Sequence, residues 1–467
     1  MTKNRTSHRT PELLVRLQRR SGEALSAQLE RQLRDAIGGG SLRAGSLLPS
    51  TRALAAELGV SRGLVVAAYA QLRAEGYLVF AQGSQPRVAA TIPRAPIAVA
   101  ESPSPPPPRF NFRAEAPDVS AFPREEWSRS YRSALKAAPD RALGYGDARG
   151  AAALRVELAA YLGRARGVVA APDAMFVCGG FAQAIGFVCG ALRRAGRTRI
   201  AVEDPGHATI RRVVERAGLA IVPVPVDGAG LDVDALAATD AEAVLVTPAH
   251  QFPTGVVLSP ERRAALVEWA HDRDAFLVED DYDAEFRYDR PPVGAVQGLA
   301  PERVFYLGSA SKTLAPTLRI GWAVPPAGFV WPLVEEVLAS VFASPQLEQL
   351  AFADFLGRGE LDRHLRRMRL VYRRRRDALV RALRRALPAV EVRGIAAGLH
   401  VVAALPSATD EKRVLVEARR RRIAVSGLAE HRVAAAGEPA LLLGYGAMSE
   451  PSIRSGVREL ADAVASA

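Results

Sequence analysis

The chain has 467 residues, with 62 Lys and Arg against 50 Asp and Glu for a formal net charge of +12, and only two cysteines. That length calls for two or three domains. Two cysteines exclude a disulfide framework, seven scattered histidines leave no metal-ligand spacing, and the lack of a long apolar run excludes a membrane helix. The basic N-terminus leads into no apolar export segment, so a cytoplasmic protein with an anionic partner is expected.

From Ser21, Leu25, Leu29, Leu33 and Ile37 recur at four-residue spacing and Gly38 to Gly40 close the run, which predicts an amphipathic helix. Ser50 caps a second helix with Leu54 and Leu58 inward and Gly59 as its stop. Ser61 caps a third, which carries Val65, Ala68, Tyr69 and Leu72 on one face and stops at Gly76. Tyr77-Leu-Val-Phe80, a Gln82-Gly83-Ser84 turn and Gln85-Pro-Arg-Val88 then read as a hairpin. These are winged helix-turn-helix proportions, with Arg52 and Arg62 at the helix starts that face a major groove. Residues 1–90 hold 13 Lys and Arg against 6 Asp and Glu. A plain three-helix bundle with solvated arginines would also satisfy the pattern.

Leu48-Pro-Ser-Thr-Arg-Ala-Leu-Ala55, Leu58-Gly-Val-Ser-Arg62 and Ala74-Glu-Gly-Tyr77 resemble the signature of the GntR superfamily of winged-helix regulators over residues 20–89. The resemblance implies double-stranded operator DNA as a partner. The expected contact set is Ser50, Arg52, Ser61, Arg62 and Gly83.

Residues 90–110 contain Ser-Pro-Ser-Pro-Pro-Pro-Pro108 and predict a linker between residues 1–89 and a second domain over 111–467. Strand-like and helix-like segments then alternate to about residue 325. This predicts an α/β domain with a mainly parallel sheet and its sites at the strands' C-terminal ends. A smaller C-terminal α+β subdomain is expected from about 345 to 467.

Three loops in that domain carry chemistry. In Leu307-Gly-Ser-Ala-Ser-Lys-Thr-Leu-Ala-Pro-Thr-Leu-Arg-Ile-Gly321, Lys312 follows one apolar strand, and a second strand begins at Arg319. Ser309, Ser311 and Arg319 supply donors around it, which suits a phosphorylated aldehyde cofactor held by Lys312 as a Schiff base. Strand Ala275–Val278 runs into Glu-Asp-Asp-Tyr-Asp283, a costly charge cluster unless a cation meets it. Cys178-Gly-Gly-Phe-Ala-Gln-Ala184 opens a helix whose N–H groups near Gly180, Phe181 and Ala182 complete a phosphate cradle.

The lysine segment resembles the cofactor-lysine motif of fold-type I pyridoxal-phosphate enzymes, the aspartate aminotransferase family. The resemblance to pyridoxal-phosphate enzymes implies that Asp280 meets the pyridinium nitrogen and that Tyr282, on the same side, meets the ring's 3-oxygen. The same resemblance puts His207 of Glu203-Asp-Pro-Gly-His207 where an aromatic often lies over the ring. Glu279-Asp-Asp-Tyr-Asp-Ala-Glu-Phe-Arg-Tyr288 resembles the matching run of MocR-type regulators, and similarity to that family spans about residues 20–460. It implies pyridoxal phosphate as cofactor, a homodimer, and a sensor of the cofactor itself or of an amine or amino acid. The alternative is a working aminotransferase with a DNA-binding domain attached. Two departures from the transaminase pattern favour the sensor. Phe252 stands where an asparagine is usual, with His250 and Gln251 as candidate replacements. Leu442 stands where an arginine usually grips the substrate carboxylate, and the nearest arginine upstream is Arg432. The arginine-rich run at 363–385 reads as a solvated helix face packing through Leu361, Leu365, Leu370 and Leu379, or as a second DNA-contacting strip.

Overall fold

A computed structural model describes residues 15–81, 84–90, 106–114, 116–289, 293–341, 344–433 and 437–467. The chain divides into two compact units, Met1–Pro105 and Pro106–Ala467. Among the described residues no helix is long and apolar enough to cross a membrane.

In the first unit three helices, Leu25–Gly38, Thr51–Leu58 and Arg62–Ala74, precede a short antiparallel pair, Leu78–Val79 with Arg87–Val88. Local chemistry sets their ends. The Ser50 hydroxyl accepts from Ala53 N at 3.2 Å, Gly59 takes the left-handed conformation that stops the second helix, and the Ser61 hydroxyl accepts from Leu64 N at 3.3 Å. Leu29, Leu33, Ile37, Leu54, Val65, Tyr69 and Leu72 are buried together with Leu78 and Val88. Burying a side chain of this size is worth about 1.5–3 kcal/mol. Leu25 and Leu58 are only half buried, because each sits at a helix end and not mid-stripe. Tyr69 donates to the Pro49 carbonyl at 3.0 Å, fixing the third helix against the entry to the second. The expected Gln82-Gly83 turn lies outside the described residues.

The second unit is built on eight strands in the order Phe176–Cys178, Gly321–Val324, Val304–Ser309, Phe276–Asp281, Ala243–Val246, Arg199–Asp204, Ala220–Asp227, Gly230–Leu231. The five from Val304–Ser309 to Ala220–Asp227 run parallel, and the others pair antiparallel. Buried strands such as Phe276–Asp281 and Val304–Ser309 have no exposed residue, as a sheet covered on both faces requires. A second, antiparallel sheet of Glu391–Arg393, His400–Ala404, Ala440–Gly444 and Ser426–Gly427 forms the C-terminal layer. The first strand of the unit, Phe110–Asn111, pairs in parallel with Ile423–Ala424 in a separate two-stranded sheet.

Glu360–Ala386 is a 27-residue helix whose buried stripe is Leu361, Leu365, Met368, Tyr372, Leu379 and Leu383. Leu370 was expected in that stripe and is 63% exposed instead. Two residues from both Met368 and Tyr372, it lies about 200° around the helix from each.

Candidate functional site

Two loops and one helix start converge at the C-terminal ends of the central strands. Phe181, Ala182, His207, Asp280, Tyr282, Ser309, Ser311, Lys312 and Arg319 line one cavity of about 260 Å³. Register explains the convergence: Asp280 is the parallel partner of Leu307, two residues before Ser309, so both loops leave the sheet side by side.

Gly180 does not line the cavity but shapes it. Its φ of +111° is a conformation that suits glycine, and a Cβ there would lie 3.6 Å from the Arg319 guanidinium. A Cβ on Gly321 would come within 2.7 Å of Gly180 Cα, so this strand crosses the helix-opening turn with no room for a side chain. Arg319 does not begin the strand as expected. It has φ +51°, caps a short 3₁₀ turn, and leaves the strand to start at Gly321.

The floor of the site is acidic. Glu279, Asp280, Asp281, Asp283, Glu285 and Glu203 are all buried. Asp281 is answered by Arg166, which forks onto both its oxygens at 2.7 and 3.2 Å, and by the Tyr306 hydroxyl at 2.7 Å. Glu279 accepts from Val296 N and Gln297 N, each at 2.9 Å. Burial pushes Glu203, Glu279 and Glu285 up to about 7. Asp280 is raised well above the usual carboxylate range, by burial first and then by Asp281, Asp283 and Glu203, with Lys312 pulling the other way. Its Oδ1 is buried with no hydrogen-bond partner. A carboxylate so placed is stabilised by a cation or donor arriving in the cavity.

His250 and Gln251 do not line the cavity, so neither replaces the missing asparagine directly. Gln251 spends its amide on Glu203 and on the Pro205 and Phe252 carbonyls at 2.7–3.1 Å. His250 Nδ1 lies 3.0 Å from Asp283 Oδ2 and 3.0 Å from the Tyr282 hydroxyl, so it orients Tyr282 from behind. Phe252 does reach the cavity, with His207 at 5.0 Å and Tyr282 edge-on at 6.1 Å between ring centroids. Leu442 is fully buried in an apolar cluster with Ala114, Phe252, Val402, Leu428 and Ala440. Sequence reasoning missed Ala114, Thr209, Ile210 and Leu399. Thr209 stands two residues beyond His207 and could have been found from that loop. Ala114 and Leu399 come from distant segments with no local signal.

In the first unit, Arg52 and Arg62 are exposed at their helix starts and form no ion pair among the described residues. Ser50 and Ser61 have their hydroxyls in the caps. Gly83 lies outside the described residues.

A capped helix-turn-helix with a hairpin, followed by a mainly parallel sheet with a lysine in a cavity at its strand ends, defines a regulator assembled from an enzyme fold. Residues 25–88 match the family of bacterial regulatory proteins, gntR family, and residues 120–438 match aminotransferase class I and II. The chain is 33% identical to the HTH-type pyridoxine biosynthesis transcriptional regulator of Corynebacterium glutamicum, over 94% of this chain and 96% of that one. It is 31% identical to the probable rhizopine catabolism regulatory protein of Rhizobium meliloti, over 96% and 95%. The α-aminoadipate aminotransferase of Thermus thermophilus, solved with N-(5'-phosphopyridoxyl)-L-leucine, superposes with a TM-score of 0.70 at 26% identity, covering 76% of this chain and 92% of that one. The chain therefore belongs to the family of HTH-type transcriptional regulators that join a GntR domain to a class I and II aminotransferase domain.

Proposed function

We propose that the second unit binds pyridoxal phosphate and senses it, or an amine that reacts with it, and that the first unit converts this into a change of affinity for operator DNA. The carrying observation is the cavity that sets Lys312 opposite Asp280, whose buried Oδ1 has no partner. Asp280 would hold a protonated pyridine nitrogen, the donor its Oδ1 lacks. Arg319, Ser309 and Ser311, together with the N–H groups at the start of helix Phe181–Arg194, would hold the phosphate. Bound there, the cofactor supplies an aldehyde and an electron-withdrawing ring. Lys312 presents the amine to that aldehyde, Tyr282 presents its hydroxyl under the control of His250, and His207 and Phe252 wall the cavity from one side.

Ser50, Arg52, Ser61, Arg62 and Gly83 would form the DNA-contacting set. Residues 90–110 would act as linker between the two functions, and the protein would work in the cytoplasm as a homodimer. Leu442 itself brings no charge where an arginine usually grips the substrate carboxylate, which supports a sensor over an efficient transaminase.

The purified protein should absorb visible light through the lysine-bound cofactor, and Lys312→Ala should remove that band. An unchanged spectrum in the variant overturns the cofactor assignment. Turnover of amino acids at ordinary enzyme rates, with operator affinity indifferent to cofactor and amines, would instead establish the aminotransferase reading.

A further inference from the structure

Behind the cofactor cavity, a carboxylate and a phenol meet at one nitrogen. His250 Nδ1 lies 3.2 and 3.0 Å from Oδ1 and Oδ2 of Asp283 and 3.0 Å from the Tyr282 hydroxyl. Tyr282 lines the cavity, whereas His250 and Asp283 do not. Their side chains are only 2% and 1% exposed, and among the described residues the Asp283 carboxylate has no partner but His250.

Backbone closes the pair in. Gly398 has φ +66°, a conformation that suits glycine, and a Cβ there would overlap both His250 and Asp283. The Gly398 carbonyl accepts from the Tyr288 and Tyr445 hydroxyls, each at 2.6 Å, which fixes this cover in place. The His400 ring packs 5.3 Å from that of His250 between centroids, and His400 Nε2 donates to the Pro253 carbonyl at 3.0 Å. The titratable groups around His250 are therefore Asp283, Tyr282 and His400. Tyr288 and Tyr445 stand behind Gly398, and Asp280 and Glu285 lie in the field of Asp283.

A single hydrogen decides how this group works. A carboxylate only accepts, so Asp283 calls for the hydrogen on His250 Nδ1. The Tyr282 oxygen beside the same N–H is then an acceptor on that side, and the phenol's own hydrogen has to point elsewhere.

We propose that Asp283 and His250 are positioning residues that fix Tyr282 as a donor toward the cofactor. Asp283 keeps the hydrogen on His250 Nδ1, Nδ1–H occupies one side of the Tyr282 oxygen, and the phenol's hydrogen is offered to the ring's 3-oxygen. The inference rests on the cofactor reading above and adds the direction of the donor and the two buried residues that set it. A donor aimed at that oxygen stabilises its negative charge and loosens its hold on the neighbouring Schiff-base proton, so the visible band changes colour at a lower pH than it would without the donor.

The test is a pH titration of the Lys312-dependent band in the full-length, cofactor-loaded protein, for wild type, Tyr282→Phe, Asp283→Asn and the double variant. Tyr282→Phe should raise the midpoint by about one pH unit, the worth of one hydrogen bond to a charged group. Asp283→Asn keeps the shape but lets Nδ1 lose its hydrogen. It should raise the midpoint too, and lose that effect once Tyr282→Phe is in place. A carboxylate acting through its charge alone would do the opposite: its removal lowers the midpoint, alike in both backgrounds. His250→Gln leaves Asp283 a donor but sets no N–H against the Tyr282 oxygen. It should raise the midpoint as well, and covers the case in which Asp283→Asn does not fold. A midpoint that ignores Tyr282→Phe, or that falls, stays or moves alike in both backgrounds on Asp283→Asn, overturns the positioning role while the band itself upholds the cofactor reading. Absence of the band from the wild type removes that reading and the positioning role with it.

Discussion

Glu203 shows how a single buried carboxyl ties the site to pH. Thr247 Oγ1 donates to it at 2.5 Å and Gln251 Nε2 at 3.1 Å, yet burial outweighs both and holds its pKa at about 7, against an ordinary 4.5. The unfolded chain loses that proton near 4.5 while the folded one keeps it, so the folded state binds more protons between the two values. Stability contributed by this group therefore falls as pH rises from about 4.5 to about 7. In cofactor-free protein, Glu203→Gln should gain on the wild type between pH 5 and pH 8 by up to about 3 kcal/mol. Denaturant unfolding at the two pH values checks it, and a difference that does not change with pH refutes it. Glu203 lies four residues before His207 and nothing in the sequence gives it a part. Nothing local distinguishes a carboxylate that will be sealed under a sheet from one that will face water. Lys312, Asp280 and Arg319 were legible because glycine, serine and proline spacing around them is dictated by turns at strand ends.

At the scale of elements, two sites carry sharp expectations. The strand Gly321–Val324 crosses the turn at Gly180 with no space for a methyl group. Gly321→Ala should push the strand and the helix start apart at a cost of about 1–3 kcal/mol and weaken cofactor binding. A cofactor titration followed by its absorbance measures this, and unchanged affinity would show that the turn yields freely. The third helix of the first unit begins at Arg62, beyond the Ser61 cap. If Arg62 reads a base edge, Arg62→Ala should cost about 1–3 kcal/mol of operator affinity and relax specificity at one position. A phosphate contact would weaken all sequences alike and lower the salt slope, and equal binding by wild type and variant across a salt series rules out both roles. Helices and strands were legible to within a few residues because apolar spacing marks each face. Leu370 escaped that reading, since a leucine between two stripe positions looks the same in composition whichever way it points. Phe110–Asn111 escaped it too: two residues carry no periodicity, and their partner lies over 300 residues away.

For the whole molecule the expected behaviour is a linkage between the two binding events. A ligand of the second unit changes operator affinity only through its differential affinity for two forms of the protein, and such couplings are about 1–3 kcal/mol. Operator affinity should therefore shift by roughly 5–150-fold across a cofactor titration, and the cofactor's affinity should shift by the same factor when operator is present. Fluorescence anisotropy on labelled DNA, paired with the cofactor spectrum, tests both arms. A shift in one without the other would violate reciprocity and point to a third component. The division into a DNA-binding half and a cofactor-binding half was open to inspection in the sequence because each half carries its own turn chemistry. The route between them was not, because it depends on where the chain re-enters the second unit. It re-enters beside the C-terminal layer: Arg109 N and Phe112 N donate to the carbonyls of Arg422 and Ala424, each at 2.8 Å, on either side of the paired strands. These bonds hold the opening strand of the second unit at several points at once. Ser426, two residues beyond Ala424, and Leu442 line a cavity that shares Ala114, His207, Thr209 and Phe252 with the cofactor site. Moving that cavity wall would therefore pull on the opening strand of the second unit through Ala424.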